Sequence, residues 1–140
     1  KQELRYLENW KKVRIETDII EKAPFYSDTL RISIILKNIL SNSIKYSDPG
    51  KSDKYLSIEI TTNKDGARMV FEDNGLGIQD EYKERIFEMF YRGNEISDGS
   101  GLGLYIVNET VGKLKGSIDL SSQKGNGTII TIFLPSIKKA

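Results

Sequence analysis

The stretch RISIILKNILSNSIKYSD, residues 31–48, predicts a long helix with one apolar face. Its large apolar side chains recur at the i, i+3, i+4, i+7 and i+8 spacing of a helix that packs on a sheet. Ser27 or Asp28 is a suitable N-cap, and the DPG sequence at 48–50 is expected to end the helix near Ser47. The apolar stripe consists of Ile32, Ile35, Leu36, Ile39 and Leu40.

A different face of the same helix carries polar side chains that the apolar stripe does not explain. Asn38, Asn42, Lys45 and Tyr46 follow one another at i, i+4, i+7 and i+8. An amide in a helix interior lowers helix stability by up to roughly 0.7 kcal/mol relative to alanine. Taken alone, this face is equally compatible with a solvated surface and with a ligand-binding wall.

The rest of the chain predicts one mixed sheet with helices on one face. Helical patterns occur at 2–12, 79–90 and 102–116, and Gly116 is expected to end the last helix as a C′ glycine. Strands and helices interleave without regular βαβ repetition, so we expect an α/β (α+β) two-layer sandwich in a single domain, 1–140. The five strand patterns lie at 13–20, 55–61, 67–73, 117–122 and 128–135.

Composition excludes several classes of function. Of 140 residues, 38% are apolar and 29% charged, and the net charge of +1 gives no basis for binding nucleic acid by bulk charge. The chain has no cysteine and no histidine, so disulfides, thiolate chemistry and the commonest general base are absent. Any bound metal should therefore be a hard cation held by oxygen ligands. The abrupt start in a predicted partial helix at 1–12 suggests a fragment of a longer protein.

Two glycine-rich stretches predict close approach of the backbone to a ligand. EDNGLGI at 72–78 ends a strand, and GSGLGLYIV at 99–107 opens a helix. Glycines at a helix start leave N–H groups and the positive end of the helix dipole open to an anion such as phosphate. The dinucleotide fingerprint and the Walker pattern are both absent, so nucleotide binding would need another architecture.

Four ordered motifs resemble those of the ATP-binding catalytic domain of bacterial sensor histidine kinases. They are NILSNSIKYSD at 38–48, EDNGLGI at 72–78, IFEMFYRG at 86–93 and GSGLGLYIV at 99–107. The wider superfamily includes gyrase, the heat-shock chaperone ATPases and the mismatch-repair ATPases. The resemblance implies a Bergerat-type fold, in which a mixed five-stranded sheet packs on about three helices and ATP binds under a mobile lid.

The resemblance assigns the polar face of the long helix to catalysis and to the metal–phosphate end of ATP. Asn42 is expected to bind Mg²⁺ through its amide oxygen, and Asn38 to contact the same metal–phosphate cluster. Lys45 is expected to meet the phosphates as a point charge. Tyr46 is expected to pack against adenine or ribose.

The first glycine stretch is assigned to the base. Asp73 is expected to accept a hydrogen bond from the exocyclic amine of adenine and to reject guanine, which presents a carbonyl at that edge. Gly75 and Gly77 would let the backbone pass close to the base, and Ile78 would line the pocket. Thr128 resembles the threonine that supports this aspartate through water.

The lid and second glycine stretch complete the implied site. Phe87 and Phe90 would anchor a lid at 93–100, and Arg92 is a candidate phosphate contact. The remaining residues of the predicted ATP site are Gly101, Leu102, Gly103 and Leu104.

The resemblance implies transfer of the γ-phosphoryl group of ATP to a histidine on a separate dimerisation domain. Because the chain has no histidine, we expect it to bind ATP without phosphorylating itself. Its partners would be that dimerisation domain and a response regulator. The full-length protein would be a homodimer, with this domain in the cytoplasm and an anchor in the membrane.

Two alternatives belong to other functional classes. An ATP-hydrolysing clamp of the gyrase or chaperone type would need a glutamate four residues before the Mg²⁺-binding asparagine, where this chain has Asn38. A non-catalytic module that docks a partner would tolerate loss of the nucleotide motifs, and these look intact.

Overall fold

The computed structural model describes residues 13–78, 103–123 and 125–137. Within these residues the chain forms five strands and two helices. The predicted helices at 2–12 and 79–90 lie outside the described residues, so the expected count of about three helices stays a prediction. In chain order the elements are β1 Val13–Glu21, α1 Thr29–Lys45, β2 Lys54–Asn63, β3 Gly66–Asp73, α2 Gly103–Lys113, β4 Ser117–Gln123 and β5 Gly127–Pro135.

The five strands form one mixed sheet in the order β1-β2-β3-β5-β4. β1 is parallel to β2, and the other neighbouring pairs are antiparallel. Parallel neighbours need a crossover connection, and α1 lies in the connection between β1 and β2. The mixed five-stranded sheet predicted from the sequence is confirmed.

The long helix begins and ends close to the predicted residues. The Asp28 carboxylate accepts a hydrogen bond from the Arg31 N–H at 3.2 Å, which makes Asp28 the N-cap. At the other end, the Tyr46 N–H donates to the Asn42 carbonyl at 2.9 Å. The helix therefore ends at Lys45, two residues before the predicted end.

The hydrophobic core lies between the helices and one face of the sheet. Alternate residues of β3 are buried there, namely Ala67, Met69 and Phe71. This alternation follows from the two-residue period of a strand. The predicted apolar stripe of α1 faces this core, with Ile32, Leu36 and Leu40 partly buried against it. Fully buried helix residues are Ile35, Ile39, Ile44, Val107 and Val111.

The register of the sheet places two predicted site residues, Asp73 and Thr128, at one end of the sheet face that carries the core. Asp73 pairs with Leu56 on β2 and with Thr128 on β5, and Thr128 pairs with Ser122 on β4. This row lies two residues beyond the row that contains buried Phe71, so its side chains point to the same face. The polar side chains of Asp73, Thr128 and Ser122 thus lie beside the buried Leu56 where the strands end.

The end of α2 differs from the prediction by one residue. Lys115, not Gly116, has the left-handed conformation, with φ of 60°. The Gly116 N–H donates to the Val111 carbonyl at 2.9 Å and the Lys115 N–H to the Gly112 carbonyl at 3.0 Å, which is a Schellman motif. Gly116 is needed for another reason, because a Cβ there would overlap the carbonyl oxygen of Phe133 on β5.

Candidate functional site

Asp73 lies at the end of β3 and is half-buried. Its carboxylate accepts hydrogen bonds from the Gly75 N–H at 2.9 Å and from the Ser43 hydroxyl at 3.3 Å. Burial raises the pKa of the Asp73 carboxyl above its ordinary value, against hydrogen bonds from Gly75, Ser43 and the Thr128 backbone that lower it. These donors fix the carboxylate as an oriented acceptor.

The first glycine stretch is bound to the end of α1. The Leu76 N–H donates to the Tyr46 carbonyl at 3.0 Å. A Cβ on Gly75 would lie 2.6 Å from that same carbonyl oxygen, so only glycine allows the loop to approach the helix this closely. Gly77 has φ of 73°. The structure therefore brings the Tyr46 carbonyl, Gly75 and Asp73 together, and their roles in binding a ligand stay predictions.

On the other side of Asp73 lies the turn that leads into β5. Gly127 has φ of 95°, and a Cβ there would overlap the carbonyl oxygen of Asp73. The buried Ser122 hydroxyl donates to the Gly127 carbonyl at 2.8 Å and accepts from the Ile78 N–H at 2.8 Å. It also lies 2.9 Å from the Thr128 hydroxyl. Ser122 joins two predicted site residues, Ile78 and Thr128.

Ser122 and Ser43 are site residues that the sequence did not predict. Ser43 follows Ser41 and Asn42, and Ser122 stands between Ser121 and Gln123, so neither serine is distinguished from its polar neighbours by sequence. Both are buried, with exposed fractions of 4% for Ser122 and 8% for Ser43. A buried hydroxyl needs a hydrogen-bond partner, so their positions beside Asp73 and Thr128 become informative only in the folded chain.

Asn42 and Gly103 meet where α1 passes the start of α2. A Cβ on Gly103 would lie 2.8 Å from Asn42 Oδ1, so the amide sits directly against the first described turn of α2. One turn earlier, the Asn38 amide nitrogen donates to the Ile34 carbonyl at 2.7 Å. This bond uses the amide nitrogen of Asn38. A hard cation binds to the amide oxygen instead.

Two further predicted residues differ in exposure. Lys45 is exposed to solvent at the end of α1. Leu104 packs its side chain against the hydrophobic core, so a ligand contact at this position would come from the backbone. The predicted site residues Arg92, Gly101 and Leu102, with the lid at 93–100, lie outside the described residues and stay predictions. The lid anchors Phe87 and Phe90 also lie there.

A lysine that sequence analysis did not select links the loops beside Asp73. Lys51 Nζ donates to the Asn74 carbonyl at 2.7 Å and to the Gly125 carbonyl at 3.0 Å. The Asn74 side chain in turn accepts from the Tyr55 N–H at 2.9 Å and donates to the Asp53 carbonyl at 2.7 Å. In the sequence, Gly50-Lys51-Ser52 matches the end of a Walker pattern, but Lys45 stands where the leading glycine is needed.

The described residues offer few ligands for a metal held by protein alone. In the described part of the chain, no group of three or more His, Cys, Asp or Glu residues could hold a metal ion. A divalent cation at the Asn42 amide oxygen would therefore take its other ligands from phosphate and water.

No helix among the described residues is both long and apolar enough to cross a membrane.

Comparison with known proteins gives one consistent family. The family model described as histidine kinase-, DNA gyrase B-, and HSP90-like ATPase matches residues 27–138. The methanogenesis regulatory histidine kinase FilI of Methanothrix harundinacea (strain 6Ac) is 34% identical over 132 residues, which cover 92% of this chain and 13% of FilI. The histidine protein kinase SaeS of Staphylococcus aureus (strain bovine RF122 / ET3-1) is 38% identical over 116 residues, covering 79% of this chain and 32% of SaeS.

A solved structure agrees with the fold. The mycobacterial sensor histidine kinase MprB matches with a TM-score of 0.75 and 29% identity, over 94% of this chain and 90% of that one. Against the curated relatives FilI and SaeS, by contrast, the chain spans only 13% and 32% of their length.

Proposed function

Because the chain belongs to the histidine kinase-, DNA gyrase B- and HSP90-like ATPase family, we propose that it is the Mg-ATP-binding catalytic domain of a two-component sensor histidine kinase. The domain occupies residues 1–140. The observation that carries the proposal is the position of Asp73, held by donors from α1 and from the first glycine stretch.

Asp73 selects adenine. Its carboxylate accepts from the exocyclic amine of the base, while the Gly75 N–H and the Ser43 hydroxyl keep it oriented. Guanine presents a carbonyl oxygen at that edge, which would face the carboxylate without a proton between them. Gly75, Gly77 and Ile78 form the loop on one side of the base, and Thr128 supports the aspartate from β5.

Asn42, Asn38 and Lys45 form the phosphate end of the site. Asn42 would hold Mg²⁺ through its amide oxygen, and the metal would supply neutralisation of phosphate charge. Asn42 offers its amide oxygen beside Gly103, at the first described turn of α2, where backbone N–H groups and the positive end of the helix dipole would attract an anion. Lys45 adds an exposed positive charge.

Phosphoryl transfer requires positioning and charge neutralisation more than covalent participation by the protein. This domain holds the donor and leaves the acceptor to another domain, since the chain has no histidine. The partners are the dimerisation domain of the full-length homodimer and a response regulator. The domain works in the cytoplasm, and its full-length protein is anchored in the membrane.

The test is a calorimetric titration followed by a transfer assay. We expect heat on titration with Mg-ATP and much weaker binding of Mg-GTP. With [γ-³²P]ATP, the 140 residues alone should stay unlabelled, and a histidine-containing dimerisation domain from a sensor kinase should become labelled when it is added. If the chain does not bind ATP at millimolar Mg-ATP, both ATP-dependent functions are excluded and the non-catalytic docking module remains. Steady-state ATP hydrolysis that Asn38→Ala abolishes would favour the clamp.

A further inference from the structure

We propose that Lys51 is a positioning residue for the base pocket, and that it acts by bridging the two loops on either side of Asp73. The inference rests on the proposed function and extends it to a residue outside the four motifs. Lys51 lies in the connection between α1 and β2, and its side chain reaches two loops that are distant in sequence.

The bridge consists of two hydrogen bonds from one ammonium group. Lys51 Nζ donates to the Asn74 carbonyl at 2.7 Å and to the Gly125 carbonyl at 3.0 Å. The lysine is half-buried as a whole residue. Bonds from a charged donor are shorter and stronger than bonds between neutral groups, and two carbonyls satisfy two of the three ammonium protons.

The two bridged loops also bind each other directly. The Gly125 N–H donates to the Leu76 carbonyl at 2.7 Å. The Leu76 N–H donates to the Tyr46 carbonyl, which fixes the same loop to the end of α1. Lys51 therefore completes a closed set of bonds that holds the loop after Asp73 against the turn before β5.

Both loops are covalently or sterically coupled to Asp73. Asn74 is the next residue in the chain, so a shift of its carbonyl changes the backbone that carries the Asp73 side chain. Gly127 packs against the Asp73 carbonyl so closely that no Cβ fits between them. In addition, the charge of Lys51 lowers the pKa of Asp73 against the effect of burial.

A bridge of this kind acts before the nucleotide arrives. A base pocket whose walls are already fixed loses less conformational freedom when ligand binds, and this improves affinity. Fixed walls also hold Asp73 at the edge where adenine and guanine differ. Loss of the bridge should thus weaken ATP binding and reduce discrimination against GTP, without removing a group that contacts phosphate.

The experiment compares Lys51→Met, Lys51→Arg and the control Lys64→Met, an exposed lysine in the β2–β3 turn. In calorimetry with Mg-ATP, we expect Lys51→Met to raise the Kd about tenfold, as for loss of a charge-assisted hydrogen bond. The ratio of GTP to ATP Kd should fall. Lys51→Arg, which keeps the charge and the donors, should restore most of the affinity, and Lys64→Met should match the unaltered chain.

In the transfer assay with a dimerisation domain, Lys51→Met should raise the KM for ATP and leave kcat nearly unchanged, because the bridge contributes equally to ground and transition states. If a folded Lys51→Met variant has an unchanged Kd for ATP and an unchanged preference for ATP over GTP, the inference about Lys51 is wrong. The proposed function would still stand in that case, provided that the unaltered chain binds ATP. If Lys51→Met does not fold, Lys51→Gln replaces it. Unfolding of both would also overturn the inference, since Lys51 would then maintain the fold and not the pocket.

Discussion

The hydroxyl of Ser43 donates a hydrogen bond to Asp73 Oδ2 at 3.3 Å, and this bond joins the long helix α1 to the end of β3. Ser43 follows Asn42 directly in the chain, and the Asn42 amide lies against Gly103 at the start of α2. The same turn of α1 therefore contacts the base side and the phosphate side of the proposed site. A nucleotide in this cleft would bind along that turn.

Removing the carboxylate of Asp73 should weaken ATP binding. We expect Asp73→Asn to reduce the binding free energy of Mg-ATP by roughly 1–3 kcal/mol, the range for leaving a buried hydrogen-bond partner unpaired. Isothermal calorimetry measures the change. The matched control is Asp18→Asn, an exposed acid on β1, which should bind as the unaltered chain does. Unchanged affinity of Asp73→Asn would remove Asp73 from the site.

Truncating Ser43 should have a smaller effect in the same direction. Ser43→Ala removes one of the donors that orient Asp73, so we expect a loss of about 1 kcal/mol in ATP binding, typical of one hydrogen bond. The control Ser57→Ala lies on the opposite face of the sheet, on β2. Calorimetry at a fixed Mg²⁺ concentration compares the two variants. Equal affinities would mean that the hydroxyl does not orient the aspartate.

The pH dependence of stability should carry the signature of Asp73. Burial raises its pKa above the ordinary aspartate value of 3.8. A pKa higher in the folded state means that ionisation opposes folding. The stabilising contribution of Asp73 is therefore complete below pH 3.8 and is lost as pH rises through the folded-state pKa.

Urea unfolding from about pH 3 to pH 7, which spans the carboxyl range, tests this sign. The free energy of unfolding of the unaltered chain, minus that of Asp73→Asn, should fall as pH rises and then level off. A rise over the same interval would show that the hydrogen bonds from Gly75 and Ser43 outweigh burial.

Asn42 should couple nucleotide affinity to Mg²⁺. We expect Asn42→Ala to bind ATP with nearly the same affinity in Mg²⁺ and in EDTA, because the proposed metal ligand is gone. The unaltered chain should bind ATP more tightly with Mg²⁺ than in EDTA. Titrating each protein under both conditions provides an internal control for folding. Retention of a strong Mg²⁺ effect in Asn42→Ala would place the metal elsewhere.

Two glycine substitutions should have opposite effects on stability. Gly127→Ala adds a Cβ that overlaps the Asp73 carbonyl at φ of 95°, so it should destabilise the fold and displace Asp73. Gly112→Ala, on α2, adds a Cβ with nothing within 4 Å and should stabilise by roughly 0.5–1 kcal/mol. Thermal unfolding compares them. A stable Gly127→Ala variant with normal ATP affinity would contradict this account of the turn.

The sequence by itself determined the elements and the chemistry they carry. Alternating apolar residues such as Ala67, Met69 and Phe71 can face one core only as a strand, and the i, i+3, i+4 stripe of 32–40 can do so only as a helix. Asp28 caps α1 because its short carboxylate reaches the N–H of Arg31, a contact within one turn. Such local rules need no knowledge of distant residues.

Only the tertiary structure decided how these groups meet. The row that joins Asp73 to Thr128 and Ser122 depends on the register of three strands, and a shift of one residue would turn all three side chains to the opposite face. The Lys51 bridge joins positions 23 and 74 residues apart, which no local pattern specifies. Gly116 packs against the Phe133 carbonyl on β5, a contact that the pattern of the helix end does not specify. Local preference fixes single elements, whereas packing between distant segments fixes the contacts that make a site.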